Sequence, residues 1–231
     1  MTASIENSTI GKLIPPLESG DRLTRHEFER RYIAMPHIKK AELIEGVVYL
    51  ASPVRFRSHG QPHGDLIIWL GTYKVSTPGI ELADNATVRL DLDNEPQPDA
   101  VLLIDERLGG QARISNDDYI EGAPELVAEV AASSASIDLH DKKRAYRRNG
   151  IQEYIVWQVL DNKLDWFSLQ NGEYLLLKAD ANDVIKSQVF PGLWLALSAL
   201  LTGDMTKVLA VLQEGLNSTE HVAFVQQLSQ Q

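Results

Sequence analysis

The sequence contains no cysteine. That excludes disulfides, thiolate catalysis and cysteine-ligated zinc, and it fits a reducing compartment. No apolar run is long enough to span a bilayer. The opening stretch MTASIENSTIGKLIPP lacks the apolar centre of a secretory signal. A cytoplasmic protein with no membrane partner is expected. No glycine-rich loop of the phosphate-cradling kind occurs, and there is no internal repeat or low-complexity tract. Positive charge is in deficit: 22 Lys and Arg stand against 32 Asp and Glu, a net charge of −10. A general nucleic-acid coat protein, which must neutralise phosphates, is thereby disfavoured. An enzyme that gathers its basic residues locally is not.

What is present suits a globular chain with a real core. The 231 residues are 44% hydrophobic and 23% charged. Residues 1–20, with Gly11, Pro15, Pro16 and Gly20, are expected to form a flexible N-terminal arm. A main domain is expected over 21–200, and a helical extension over 201–231 with breaks near Gly203 and Asn217.

Thr24 and Glu27 have the spacing of a capping box, which predicts a helix from about Arg25 to Ala34, stopped by Pro36. AELIEGVVYLAS (41–52) predicts two short strands around a Glu45-Gly46 turn. An amphipathic helix is expected from about His59 to Tyr73, and the alternation of ATVRLDL (86–92) predicts a half-buried strand. DAVLLI after Pro98 and PELVAEVAA (124–132) are apolar runs of the buried-strand kind. SASIDLHDKKRAYRRNG (134–150) predicts a strong helix that opens on serine caps and closes at Gly150. Strands 152–160 and 163–170 follow, with an Asn171-Gly172 hairpin turn. The order of elements indicates an α/β or α+β fold.

Glu129 is the most informative residue. Its neighbours in LVAEVAA demand burial, and a buried carboxylate needs a cation beside it. A structural ion pair and a functional site both answer that need. On a helix, Ala135, Leu139, Lys142 and Tyr146 share one face, so Lys142 is the lysine on the apolar stripe. It could return over Glu129, or its stem could snorkel along the core. Asp99 opens the strand after Pro98 and shares a face with Val101 and Leu103. Two carboxylates on neighbouring strands can share a hard divalent cation, Mg2+ or Mn2+. A plain strand start is the alternative for Asp99. His59 and His63 stand at i, i+4, a spacing that suits a metal but also two satisfied surface histidines. The serines at 133, 134 and 136 have no His/Asp partners for nucleophilic catalysis and are expected to cap the helix. The basic residues Lys143, Arg147 and Arg148 could meet nucleic acid, or could form a solvated helix face.

PDAVLLID, PELVAEV and DLHDKKRAYRRNGIQEYIVW, in that order and spacing, resemble the Uma-type family of restriction endonucleases in the PD-(D/E)XK nuclease superfamily. AELIEGVVYLASP and SHGQPHGDL are similar to that family as well, so the resemblance covers about residues 24–200. It implies a restriction-endonuclease-like core, a mixed sheet flanked by helices, with an additional N-terminal hairpin and C-terminal helices. It implies that Asp99, Glu129 and Lys142 are catalytic, with Asp99, Glu129, the Val130 carbonyl and Glu42 as metal ligands. Glu42 could equally be a strand-edge charge. His59 and Tyr146 enter as second-tier positions, Tyr146 also being explicable as core packing. Three departures stand out. Ala131 follows Glu129 by two, so the lysine must come from the next helix; AASSAS (131–136) lacks the proline of the family's Ser-Pro-Ser turn; and Gln158 stands where the family often has aspartate.

The resemblance implies a Mg2+-dependent endonuclease acting on DNA, expected as a homodimer. Two other functions compete: a catalytically inactive nuclease-fold protein that binds nucleic acid or protein, and a structural oligomer paired through its strands and C-terminal helices. The intact Asp99, Glu129 and Lys142 favour the enzyme; the acidic net charge favours the others.

Overall fold

The structure, a computed structural model, describes residues 14–132 and 134–230. Residues 1–13 of the expected arm lie outside the described residues. Within the rest of it, Leu17 is buried and Gly20 donates to the Val48 carbonyl. Helix α1 (Arg25–Ile33) buries Phe28. The expected capping box is not formed. The Thr24 side chain makes no cap bond, and Glu27 turns to Arg30 and Arg31, whose guanidiniums outcompete a backbone amide for its carboxylate. Strands β1 (Ala41–Ile44) and β2 (Val47–Leu50) form the expected hairpin. Its turn residues Glu45 and Gly46 take φ of 52° and 74°, as a two-residue turn between twisted strands requires.

Where a plain helix was expected from His59, a π-turn (Phe56–Gly60) precedes α2 (Gln61–Ser76). The chain continues through β3 (Ile80–Asp84), β4 (Val88–Arg89), β5 (Ala100–Ile104), β6 (Arg113–Ile114), β7 (Ile120–Glu121) and β8 (Leu126–Ala131). The expected strand 86–92 shrinks to β4. Just beyond it the amides of Leu90 and Asp91 bond back to the Asn94 carbonyl, so the chain reverses before a longer ladder can form.

The expected continuous helix 134–150 is three pieces: α3 (Ala135–Ile137), a π-turn (Asp138–Lys142) and α4 (Lys143–Asn149). It closes on Gly150, at φ 85°. Ser134 does not cap it, because its hydroxyl donates to Asp138 Oδ2 at 2.6 Å. Ser133 lies outside the described residues, and Ser136 is exposed. Next come β9 (Glu153–Gln158), β10 (Lys163–Gln170), β11 (Glu173–Leu176), β12 (Val184–Lys186) and β13 (Trp194–Ala196). Helices α5 (Leu197–Thr202), α6 (Met205–Leu216) and α7 (Thr219–Leu228) end the chain, separated at Gly203 and Asn217 as expected. No helix among the described residues is long and apolar enough to cross a membrane.

The main sheet has six strands in the order β11-β10-β9-β8-β5-β3. Only β8 and β9 run parallel, and a parallel pair needs a crossover, which the helical stretch from α3 to α4 supplies. Alternation along the strands gives the sheet two buried faces. Ala100, Leu102, Ala128, Val130, Ile155 and Trp157 pack under α2 and the C-terminal helices. There Trp69 meets Trp166 edge-on at 5.6 Å and donates its indole N–H to the Trp194 carbonyl. On the other face Val101, Leu103, Val127, Ala131 and Val156 pack with Tyr146 and Tyr154. A smaller core of Leu17, Phe28, Ala41, Leu43 and Val48 joins α1 to the hairpin.

Candidate active site

The register of β5 and β8 brings the two expected carboxylates together. Ala100 pairs with Ala128, and one step further along this antiparallel ladder Asp99 stands opposite Glu129. Opposed residues point to the same side of a sheet. Both therefore emerge on the face covered by the crossover, and both are buried. Glu42 reaches the same place from β1, where its Oε1 accepts the Gln97 amide at 2.8 Å.

Lys142 lies between them. Its ammonium is 2.9 Å from Glu129 Oε1, 2.9 Å from Glu42 Oε1 and 3.6 Å from Asp138 Oδ1. Burial would drive the amine towards neutrality, but Glu129, Glu42 and Asp138 outweigh it and hold Lys142 well above the usual lysine range. Tyr146 donates its hydroxyl to the same Glu129 Oε1 at 2.9 Å. The hydroxyl of Tyr154, at 4.9 Å ring separation from Tyr146, donates to the Asp138 carbonyl.

One ammonium faces three carboxylates, and the imbalance bears on Glu129 and Asp138. Burial pushes Glu129 above the usual carboxylate range; Lys142 opposes that, while Asp138, Asp99 and Glu42 add to it. Asp138 is pushed up as well, by burial and by Glu42 and Asp99, against the pull of Lys142 and Ser134. Asp138 Oδ1 is buried without a hydrogen bond.

Asp99 has separate company. Its Oδ2 accepts the Val130 amide at 2.8 Å, and its Oδ1 faces His59 Nε2 at 3.4 Å and Lys40 Nζ at 3.7 Å. Burial alone would raise it, but His59, Lys40 and the Val130 amide prevail and bring it to about 2. His59 is raised in turn, chiefly by Asp99 and against burial. The other His59 nitrogen, Nδ1, is 3.0 Å from the Val130 carbonyl, towards which its N–H points. His63 Nε2 stands 2.9 Å from the Asp99 carbonyl and 3.2 Å from Asp84 Oδ1.

The structure thus gathers Asp99, Glu129, Lys142, Glu42, the Val130 carbonyl, His59 and Tyr146 at one end of the sheet. It does not bring Lys143, Arg147 and Arg148 into that cluster. Lys143 lies over the Phe167 ring at 3.5 Å, Arg147 pairs with Glu173, and Arg148 pairs with Glu45 and Asp91. Gln158, where an aspartate was noted as usual, donates to Asp165 instead. Three participants escaped the sequence reading: Asp138, Lys40 and the tyrosine partner Tyr154. Asp138 could have been found, because it precedes Lys142 by four residues and so shares its face.

Whether a divalent cation suits this place turns on the donors. Glu42, Asp99, Glu129 and the Val130 carbonyl offer only hard oxygen atoms, the kind Mg2+ and Mn2+ select. Among the described residues no three acidic or histidine side chains already stand at metal-binding spacing. The donor chemistry, the surplus of negative charge and the orphaned Asp138 oxygen nevertheless fit a cation here. The hydrogen bonds to Glu129 fall on Oε1, and that to Asp99 on Oδ2.

Comparison with known proteins bears on the fold and the family. A solved structure titled as a putative nuclease belonging to DUF820, from Anabaena variabilis ATCC 29413, superposes with a TM-score of 0.57 at 14% identity. The match covers 75% of this chain and 96% of that one. At that identity it establishes the fold, a restriction-endonuclease-like mixed sheet flanked by helices. No curated protein matches the chain. The family model named Uma2, described as "Putative restriction endonuclease", matches residues 25–198. The match spans more than half the chain and contains every residue of the acidic cluster, so the chain belongs to the Uma2 family.

Proposed function

We propose that this chain is a divalent-cation-dependent endonuclease that hydrolyses phosphodiester bonds in DNA. The observation that carries the reading is the convergence of Asp99, Glu129, Glu42 and Lys142, from four separate elements, on one buried end of the sheet. Asp99, Glu129 and the Val130 carbonyl would hold Mg2+ or Mn2+, with Glu42 as a further ligand. When bound, such a cation lowers the pKa of a water and stabilises charge on a phosphoryl group.

The chain's own groups supply the rest. Lys142 presents a fixed positive charge to the negative charge that develops on the phosphate, or orients the water beside Glu129. Tyr146 holds one Glu129 oxygen and so fixes the direction of the other. His59 spans the Val130 carbonyl and Asp99, two neighbouring oxygen donors, and sets their orientation. A homodimer would carry two such centres.

Plasmid nicking in Mg2+ or Mn2+ tests the proposal. Wild type should convert supercoiled to open-circular DNA, and Asp99→Asn, Glu129→Gln and Lys142→Ala should each abolish most of that conversion. Nicking that survives all three substitutions would remove the assignment. The second reading, an inactive binding or oligomeric module of the same fold, draws on the close ion pairs of Lys142 with Glu42 and Glu129, which hold the cluster together without an added cation. It gains if wild type leaves the plasmid intact while still binding DNA or self-associating.

A further inference from the structure

The cations that would meet a phosphate backbone are not those of the crossover helix. Among the described residues, every arginine except Arg22, Arg55 and Arg57 stands in an ion pair. Two of the three exceptions flank Phe56, in an exposed stretch, Ala51 to Arg57, that leads into the π-turn carrying His59. Phe56 and Val54 are each 71% exposed, and Leu160, on the turn packed against this one, is 70% exposed. Phe56 thus stands as an exposed aromatic ring between two unpaired guanidiniums, with Val54 exposed two residues before it.

The stretch is also held in place. The amides of His59 and Gly60 both donate to the Arg55 carbonyl at 3.1 Å, and the His59 ring is fixed by the Val130 carbonyl and Asp99. At the other end, the Ala51 amide donates to the carbonyl of Lys40, whose own ammonium faces Asp99. Arg55, Phe56 and Arg57 are thus anchored at both ends to the rim of the acidic cluster.

We infer that Ala51–Arg57 is the rim that seats the DNA strand, with Arg55 and Arg57 on phosphates and Phe56 stacked on an unpaired base. This deepens, and rests on, the reading of the acidic cluster as a nuclease centre. Two guanidiniums alone would suit any phosphate, duplex or single-stranded. The exposed ring between them suits a strand whose base is free to stack, because each base presents a π-face to an aromatic side chain. The occupant is therefore single-stranded or frayed DNA, favoured over a closed duplex. Charge complementarity explains why a chain of net charge −10 can accept it here: elsewhere its arginines are mostly neutralised internally.

The test is fluorescence anisotropy in EDTA, with a short labelled DNA single strand and the matching duplex as probes. All substituted side chains are exposed, so the fold should survive the changes. Arg55→Ala with Arg57→Ala should weaken binding of both probes by about tenfold or more at low salt and flatten the salt dependence. Phe56→Ala should weaken the single strand by about fivefold or more, with little change on the duplex, and Phe56→Trp should retain affinity. Wild-type affinity in both alanine variants would overturn the inference. So would a Phe56→Ala protein that changes from dimer to monomer by sedimentation with its DNA affinity intact, which would mark the patch as a self-association surface. Nicking assays on the same proteins separate this inference from the function it rests on. Wild type that binds through the rim but cleaves neither plasmid nor the labelled single strand in Mg2+ or Mn2+ refutes the nuclease reading alone. Wild type that nicks, with variants that bind and nick equally well, refutes the rim alone.

Discussion

Lys142 Nζ and Glu129 Oε1 lie 2.9 Å apart, both buried, joined by a crossover that begins where the Glu129 strand ends. The pair is buried on both sides, and its geometry dictates what each substitution should do.

Removing the ammonium strands three carboxylates. Lys142→Met should destabilise the fold by about 3–5 kcal/mol, the usual size when one partner of a buried ion pair is deleted. Urea denaturation near neutral pH measures it. A loss below about 1 kcal/mol would mean that the carboxylates are already neutral or solvated.

His59 should matter to activity more than to stability. It touches two proposed ligands without being one of them, and partners of that kind are typically worth about 10–100-fold. His59→Ala should lower the nicking rate by that factor, with a smaller loss of stability than Lys142→Met. A rate within about twofold of wild type would make His59 a bystander.

Glu153 provides a pH test away from the site. It is buried at the start of β9, where it accepts Ser187 and Gln188 at 2.7 Å and Trp166 at 3.2 Å. Burial raises it from 4.5 to about 7, with those donors pulling the other way. Between these two values the folded chain keeps a proton that the unfolded chain has released. The contribution of Glu153 to stability is therefore fullest below pH 4.5 and is lost as pH rises towards 7. Over that range wild type should lose about 3 kcal/mol more than Glu153→Gln. Equal pH slopes for the two proteins in urea denaturation would refute this.

Two glycines should respond oppositely to alanine. A Cβ on Gly215 would meet the Gly192 carbonyl oxygen at 2.2 Å and the Trp194 ring at 2.8 Å, where α6 lies against the β13 hairpin. Gly215→Ala should cost about 1–3 kcal/mol or more by overpacking. Gly64, inside α2, has open space around its missing Cβ, so Gly64→Ala should stabilise the protein by about 0.5–1 kcal/mol. Thermal melts of the pair decide the matter, and equal shifts would contradict it.

Much of this was legible without coordinates wherever a local rule dominates. The Glu45-Gly46 and Asn171-Gly172 turns were readable because their backbones need positive φ. The breaks at Gly203 and Asn217 were readable because helical periodicity stops there. Asp99 stood out as an acid at the head of an apolar strand, and Glu129 as an acid inside one. What failed depended on competition between partners. Thr24 and Glu27 had the spacing of a capping box, but Arg30 and Arg31 took the glutamate. ATVRLDL alternated properly, yet the chain turned back after two ladder residues. Both π-turns were invisible, since a run of helix-forming residues does not announce a wider turn. Such turns are frequent at functional sites, and here one carries His59 and the other Asp138 and Lys142. The junction of His59 with Asp99 and Val130 is long-range, and no spacing in the sequence encodes it.

The central claim is that this surplus of buried acid exists to hold a cation. Titrating Mn2+ into the chain, with free ion followed by electron paramagnetic resonance, tests it most directly. Wild type should take up Mn2+ saturably, and Glu129→Gln and Asp99→Asn should each lose that uptake while remaining folded. No uptake by wild type, or equal uptake by all three proteins, would contradict the account.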